Sequence, residues 1–215
     1  MAPPTNQKLN AEREENCIGI TPERKYYRCG NNYIKRSLRP TEWQKHNSYL
    51  HVPKFNPERI LNEGACLKFL AENTDIALPK LYACYEDDGA GYLITEYVEG
   101  VGVNELISEQ QKMVGQELQK HLKTLRALTS DKWARRPGGP VLPPYRVCHN
   151  DLSANNVIVD LAGLKIEAII DWEYAAFFLP EFESPFYLRV GPSIPLPGEV
   201  DDVDMLLNIL NEERM

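Results

Sequence analysis

The apolar positions of this chain follow two periods. Alternation by two runs through KYYRCGNNYIKRS (25–37) and predicts a hairpin turning at Cys29-Gly30-Asn31. KLYACYED and GYLITEYVEG predict a second hairpin around Asp88-Gly89-Ala90-Gly91. NVIVD and LKIEAIID predict a third, closed by Leu161-Ala162-Gly163 with Gly163 free to take positive φ. A period of three to four marks the helices. Asn56 reads as an N-cap and Pro57 as the first residue of a helix over 57–72, with Ile60, Gly64, Leu67 and Ala71 as its apolar stripe. A longer helix spans about 108–129, striped by Leu118, Leu122, Leu125 and Leu128, and a last one covers about 199–213.

The order of these elements predicts an α+β fold of two lobes. Residues 1–15 are polar and Pro-containing, a loose N-terminal tail. Residues 16–98 make an N-lobe, a small antiparallel sheet with helix 57–72. Residues 99–215 make a mostly helical C-lobe, and the hinge lies near VEGVGV (98–103). Segments 38–55, 131–144 and 174–198 read as irregular, the last two rich in Pro.

Composition narrows the function. The 215 residues carry a net charge of −7, which argues against a nucleic-acid partner held by a basic face. No apolar run reaches a membrane span's length, and the start MAPPTNQKLNAEREEN lacks the apolar stretch of a secretory signal. The five cysteines (Cys17, Cys29, Cys66, Cys84, Cys148) form no C-x-x-C pair, which fits a reducing, cytoplasmic setting. Cys148 reads as a small apolar filler on a strand.

The chemistry concentrates in VCHNDLSANNVIVD (147–160) and IEAIID (166–171). An antiparallel hairpin brings its open ends together. Asn156, just before the first strand, then lies beside Asp171, just after the second, and Asp151 reaches the same cleft from one short loop upstream. An amide oxygen and a carboxylate with room for water suit Mg²⁺, and a further carboxylate can accept a hydroxyl proton. Asp151, Asn156 and Asp171 therefore match a phosphoryl-transfer site as base, metal ligand and metal ligand. Phosphate chemistry also wants a cation. Lys35 ends the strand run NNYIK, and an inward lysine needs a partner. Glu63, on the inward stripe of helix 57–72, supplies one. A metallohydrolase reading of His149, Asp151 and Asp171 lacks histidines, since the chain has only His46, His51, His121 and His149. The acidic group Glu199, Asp201, Asp202 and Asp204 reads as a favourable helix start, or alternatively as a lure for a cationic substrate.

These residues carry a resemblance. HNDLSANN fits the H-x-D-x-x-x-x-N catalytic loop of kinases, and IIDWE stands where their metal-binding Asp follows. With YIK, NEGACLKFL and YLITEYVEG, the chain from about 24 to 210 resembles the aminoglycoside phosphotransferase/choline kinase-like family, particularly its small fungal members. The resemblance implies a bilobal protein-kinase-like fold that binds ATP and Mg²⁺ and phosphorylates a hydroxyl of a small molecule. It implies Asp151 as base, Asn156 and Asp171 as metal ligands, Lys35 on the α/β-phosphates and Glu63 as its ion-pair partner. It places the adenine against the backbone of Glu96 and Val98, has His149 orient the loop, and puts Ser153 near the γ-phosphate. Two departures stand out: CIGITPERKYY before Lys35 has no G-x-G-x-x-G, and the second lobe is short. They motivate an alternative, a degenerate kinase-like module that binds a nucleotide or a partner without turnover.

Overall fold

The computed structural model of the protein describes residues 13–46, 49–130, 145–189, 195–196, 198–200 and 205. Most of the polar tail, the loop 131–144 and most of the helix expected over 199–213, with Asp201, Asp202 and Asp204, lie outside them. Strands β1 (Cys17–Ile20), β2 (Arg24–Cys29) and β3 (Asn32–Ser37) come first, then a 3₁₀ turn at Pro40–Glu42 and the short pair β4 (Lys45–His46) and β5 (Tyr49–Leu50). Helix α1 (Asn56–Asn73) leads to β6 (Leu81–Asp87) and β7 (Ala90–Glu96). Then come β8 (Val101–Gly102), α2 (Ser108–Ala127), β9 (Thr129–Ser130), β10 (Tyr145–Cys148), β11 (Val157–Asp160), β12 (Lys165–Ile169) and β13 (Ala176–Phe178).

The first lobe is an antiparallel sheet in the order β1-β2-β3-β7-β6. Its hairpins turn where the pattern places them. Gly30 takes φ 60°, and Asp88 and Gly89 both take positive φ, as a two-residue turn between right-twisted strands requires. Tyr26 pairs with Lys35 and Lys35 with Leu93, which sets the register at the sheet's centre. On the opposite face Arg36 forks onto Glu42 at 2.6 and 2.9 Å and is joined by Lys25 and Glu14, so the charges of that face are paired.

Helix α1 packs Ile60, Glu63, Gly64, Leu67 and Leu70 inward. Leu70, not Ala71, closes the stripe, and Ala71 is exposed. Gly64 lets the helix touch β6, because a Cβ there would sit 2.4 Å from Cys84 Sγ. Asn56 does not cap. The helix begins at Asn56 itself, after Phe55 in a left-handed conformation, and the Asn56 side chain is spent on Arg24 and on Glu23 O.

The second lobe is built on α2, whose buried stripe is Val114, Leu118, Leu122 and Leu125. Two three-stranded sheets accompany it, β13-β10-β9 and β12-β11-β8. The chain leaving the first lobe enters the second as β8, paired with β11. The turn of the β11–β12 hairpin differs from expectation. Leu164, not Gly163, takes positive φ, because Asp160 fixes the turn by accepting from Ala162 N and Gly163 N. One apolar core runs through both lobes: Leu67, Leu70 and Ile76 join Val157, Ile169 and Trp172, and Ile169 N donates to Ala77 O at 2.9 Å. Among the described residues, no helix is long and apolar enough to cross a membrane.

Candidate active site

The β11–β12 hairpin gathers its side chains as its sequence requires. Val157 pairs with Ile169, so the residues beyond each strand end are neighbours, and Ile170 N donates to Asn156 O at 2.9 Å. Asn156 is buried, and its Nδ2 donates to Asp151 O at 2.7 Å. That bond uses an amide N–H, and the amide oxygen keeps its capacity as an acceptor or ligand. Asp171 sits at φ 68°, a conformation L-residues seldom adopt. It leads into a 3₁₀ turn at Trp172–Tyr174 and makes no side-chain cap hydrogen bond.

His149 is fully buried against Trp172, with ring centroids 4.4 Å apart. Its Nδ1 accepts the Asp151 N–H at 3.3 Å, so the proton rests on Nε2, which donates to Ile170 O at 2.9 Å. Burial pushes the imidazole down to about 4, and the ring is neutral. His149 thus joins the loop carrying Asp151 to the strand end carrying Asp171. Glu183 adds a support that sequence gave no sign of, accepting the His149 backbone N–H. Ser153 contributes backbone bonds: its N–H donates to Asp151 O, and its carbonyl accepts Asn156 N–H.

Lys35 enters from β3. Its ammonium donates to Glu63 Oε2 at 2.7 Å and to Asp171 Oδ1. Burial would lower its pKa, but the two carboxylates outweigh that and hold the lysine charged. The anticipated Lys35–Glu63 pair therefore forms, and Lys35 also bridges to Asp171. Burial alone would raise Asp171, yet Lys35, with help from Arg24, holds its carboxyl below the usual range. Asp151 goes the other way. Burial first, then the charges of Asp171 and Glu173, push it up to about 6.

A cleft of about 340 Å³ opens beside these groups. It is lined by Tyr26 and Tyr33, stacked with centroids 6.1 Å apart, by Ile158 and Ile170, and by Glu96, Tyr97 and Val98. Lys35, Glu63 and Asp171 line it as well. A larger, open groove of about 810 Å³ lies between α1 and β6, away from Asp151 and Asp171. It holds no such convergence of charged groups, and the smaller cleft is the candidate site.

The β1–β2 turn does not offer free amides over this cleft. Arg24 N and Glu23 N point at Thr21 Oγ1, 3.0 and 3.4 Å away, and Thr21 N donates to Arg24 O. Instead the turn sends in the Arg24 side chain, buried and bonded to Glu173 and Asn56. Arg24, Tyr26, Tyr33 and Glu173 lie outside the sequence motif, yet three of them carry a local signal: Tyr26 pairs with Lys35, and alternation puts Arg24, Tyr26 and Tyr33 on the lysine's face.

The residues fit a hard divalent cation. Asn156 offers a neutral oxygen, Asp171 an ionised carboxylate, and Asp151 is a half-exposed acid whose charge is opposed by its acidic neighbours. A cation between them would relieve that crowding.

Residues 106–184 match a family model described as the phosphotransferase enzyme family. Among curated proteins, a serine/threonine-protein kinase D of Synechocystis sp. is 30% identical over 100 residues, 45% of this chain. The chain spans only 16% of that kinase's length. Among solved structures, an aminoglycoside-3'-phosphotransferase of type VIII aligns over 85% of this chain and 89% of its own, at 18% identity and a TM-score of 0.52. The aminoglycoside phosphotransferase APH(3'')-Id from Streptomyces rimosus, solved with ADP and streptomycin, aligns over 80% of this chain and 76% of its own, at 16% identity and a TM-score of 0.56. The fold is thus the bilobal, protein-kinase-like α+β fold.

Proposed function

We propose that this chain, a phosphotransferase-family sequence over 106–184 on an aminoglycoside phosphotransferase-like fold, transfers the γ-phosphate of ATP to a hydroxyl of a small molecule. The observation that carries the reading is the convergence on one cleft of Lys35, Glu63 and Asp171 from three separate elements, with Asn156 and Asp151 on the adjoining loop. Ion pairs between residues 28 and 136 positions apart do not arise from local turn chemistry. They support an enzyme over a degenerate module.

In this reading residues 16–98 and 99–215 are the two lobes. The base would lie against Tyr33, Ile158 and Ile170, a lining whose apolar surface suits an aromatic ring. Its edge meets the backbone of Glu96 and Val98. The Glu96 carbonyl already accepts from Thr95 Oγ1 at 3.1 Å and keeps a second lone pair for the base. Lys35 faces the phosphates and is held in place by Glu63. Asn156 and Asp171 would hold Mg²⁺, which supplies charge neutralisation for the phosphates. Asp151 aligns the acceptor hydroxyl and takes its proton as the oxygen bonds to the γ-phosphorus. The bond from that phosphorus to the β–γ bridging oxygen breaks, and ADP departs with the pair of electrons. Neutral His149 keeps the Asp151 backbone in place. Ser153, at the bend of the same loop, borders the γ-phosphate.

ATP consumption measured across hydroxylated amines, sugars and amino acids, with Asp171→Ala as the blank, identifies the acceptor class. With that acceptor, Asp151→Ala is expected to lose roughly 10²- to 10⁴-fold in kcat. Turnover within a few-fold of the unaltered protein would remove Asp151 from the chemistry.

A further inference from the structure

Three carboxylates meet where Glu63 and Asp171 line the cleft and Glu173 lies buried beside them. One oxygen each of Glu63, Asp171 and Glu173 lies within 4.8 Å of the others. Unpaired, such a set would seize a divalent ion without nucleotide and crowd out the phosphate oxygens that Mg²⁺ takes as ligands. All three are paired, but not alike: Glu63 and Glu173 are buried against their cations, whereas Asp171 gives Lys35 only Oδ1 and its side chain stays 33% exposed. Glu63 is held by Lys35. Glu173 accepts from Arg24 Nη2, and Arg59 Nη1 stands 3.5 Å from its other oxygen.

The Arg24–Glu173 pair is built with care. Its side chains are 3% and 8% exposed, although they belong to different lobes. Arg24 Nη1 donates to Asn56 Oδ1, and Asn56 Nδ2 donates to Glu23 O at 2.6 Å, so the guanidinium is aimed from two directions. Asn62 Nδ2 fixes the backbone on the other side, 3.0 Å from both Glu173 O and Ala175 O. Burying two charges at a lobe junction is costly, and an apolar pair could join the lobes equally well. The charges matter because of the third carboxylate beside them.

Resting on the function proposed above, we propose that Arg24 is a positioning residue for the cation site. It ties up Glu173, so that Asp171 is the one carboxylate of the three that meets the divalent ion, beside Asn156. Without Arg24, Glu173 turns toward the ion, which then binds the nucleotide-free protein more tightly and is drawn away from the phosphates.

The test is Mn²⁺ binding, read from the free-ion paramagnetic resonance signal, with and without saturating ADP. Arg24→Gln is expected to bind Mn²⁺ about tenfold more tightly without nucleotide, and Arg24→Gln/Glu173→Gln to return to within about threefold of the unaltered protein. Arg24→Lys, which keeps a cation, should stay near the unaltered value. Glu173→Gln alone should change Mn²⁺ affinity by less than about threefold, since Glu173 is not a ligand. Unchanged or weaker binding in Arg24→Gln overturns the proposal. So does a loss of about tenfold in Glu173→Gln, which decides the matter alone if Arg24→Gln does not fold. Asp171→Asn separates this from the functional reading. It should abolish Mn²⁺ binding with ADP; retained binding there sinks both, whereas abolition together with an unresponsive Arg24→Gln sinks the role of Arg24 only.

Discussion

Asp151 shows chemistry and stability pulling apart at one side chain. Burial and the charges of Asp171 and Glu173 raise its carboxyl to about 6, against an ordinary value near ~3.9. A raised folded-state pKa means that the stability it contributes is present below the unfolded value and lost as pH rises through about 6. Above that pH the ionised side chain costs the fold, by about 1 kcal/mol once solvent screening of a half-exposed group is allowed for. His149 has the opposite sign. Its pKa falls to about 4, so its contribution is present above the unfolded value, near ~6.5, and is lost as pH falls toward about 4. Comparing Asp151→Asn with the unaltered protein in EDTA isolates Asp151. The variant, poorer in catalysis, is expected to melt about 2–4 °C higher at pH 8, and the gain should shrink as pH drops below 6. A gain that does not vary with pH would show that the environment of Asp151 is not the one described.

At the scale of elements, the α1–β6 contact decides where Glu63 points. Gly64→Ala puts a methyl group against Cys84, 2.4 Å from Sγ and 2.5 Å from Cβ, and the strand cannot yield as a flexible side chain could. The expected result is a loss of about 1–3 kcal/mol in chemical denaturation, with weaker ATP binding because the helix lifts Glu63 from Lys35. Unaltered stability in Gly64→Ala would contradict this packing.

The same scale shows what the sequence makes legible. The three hairpins are readable because alternation and turn residues are local signals. So is the Asn156–Asp171 juxtaposition, which follows from one hairpin's register. The Lys35–Glu63 pair is readable because each residue lies on an inward face and lacks a mate. Legibility fails where a distant partner claims a local residue. Asn56 looks like a cap but serves Arg24 and Glu23, and Asp160 moves the left-handed residue from Gly163 to Leu164. Leu70 displaces Ala71 from the stripe because the larger side chain gains more by burial. The Arg24–Glu173 pair joins residues 149 positions apart, which no local period encodes.

For the whole molecule, the two lobes share one apolar core, and Trp172 lies in it with no exposed surface, its Nε1 donating to Ile169 O. A hinge between lobes then does not mean independent folding. Calorimetry and circular dichroism are expected to report one coincident transition, and Trp172→Ala to cost about 3–5 kcal/mol across it. Two separated transitions would mean that the lobes fold apart. The central claim, that Asn156 and Asp171 meet a nucleotide-bound divalent ion beside Asp151, is tested most directly by anomalous diffraction from crystals grown with Mn²⁺ and a non-hydrolysable ATP analogue. The expected peak lies about 2.0–2.3 Å from Asn156 Oδ1 and an Asp171 carboxylate oxygen, with phosphate oxygens completing the sphere. A peak seated on Glu63 and Glu173 instead, or nucleotide bound with no ion near residues 156 and 171, would contradict the account.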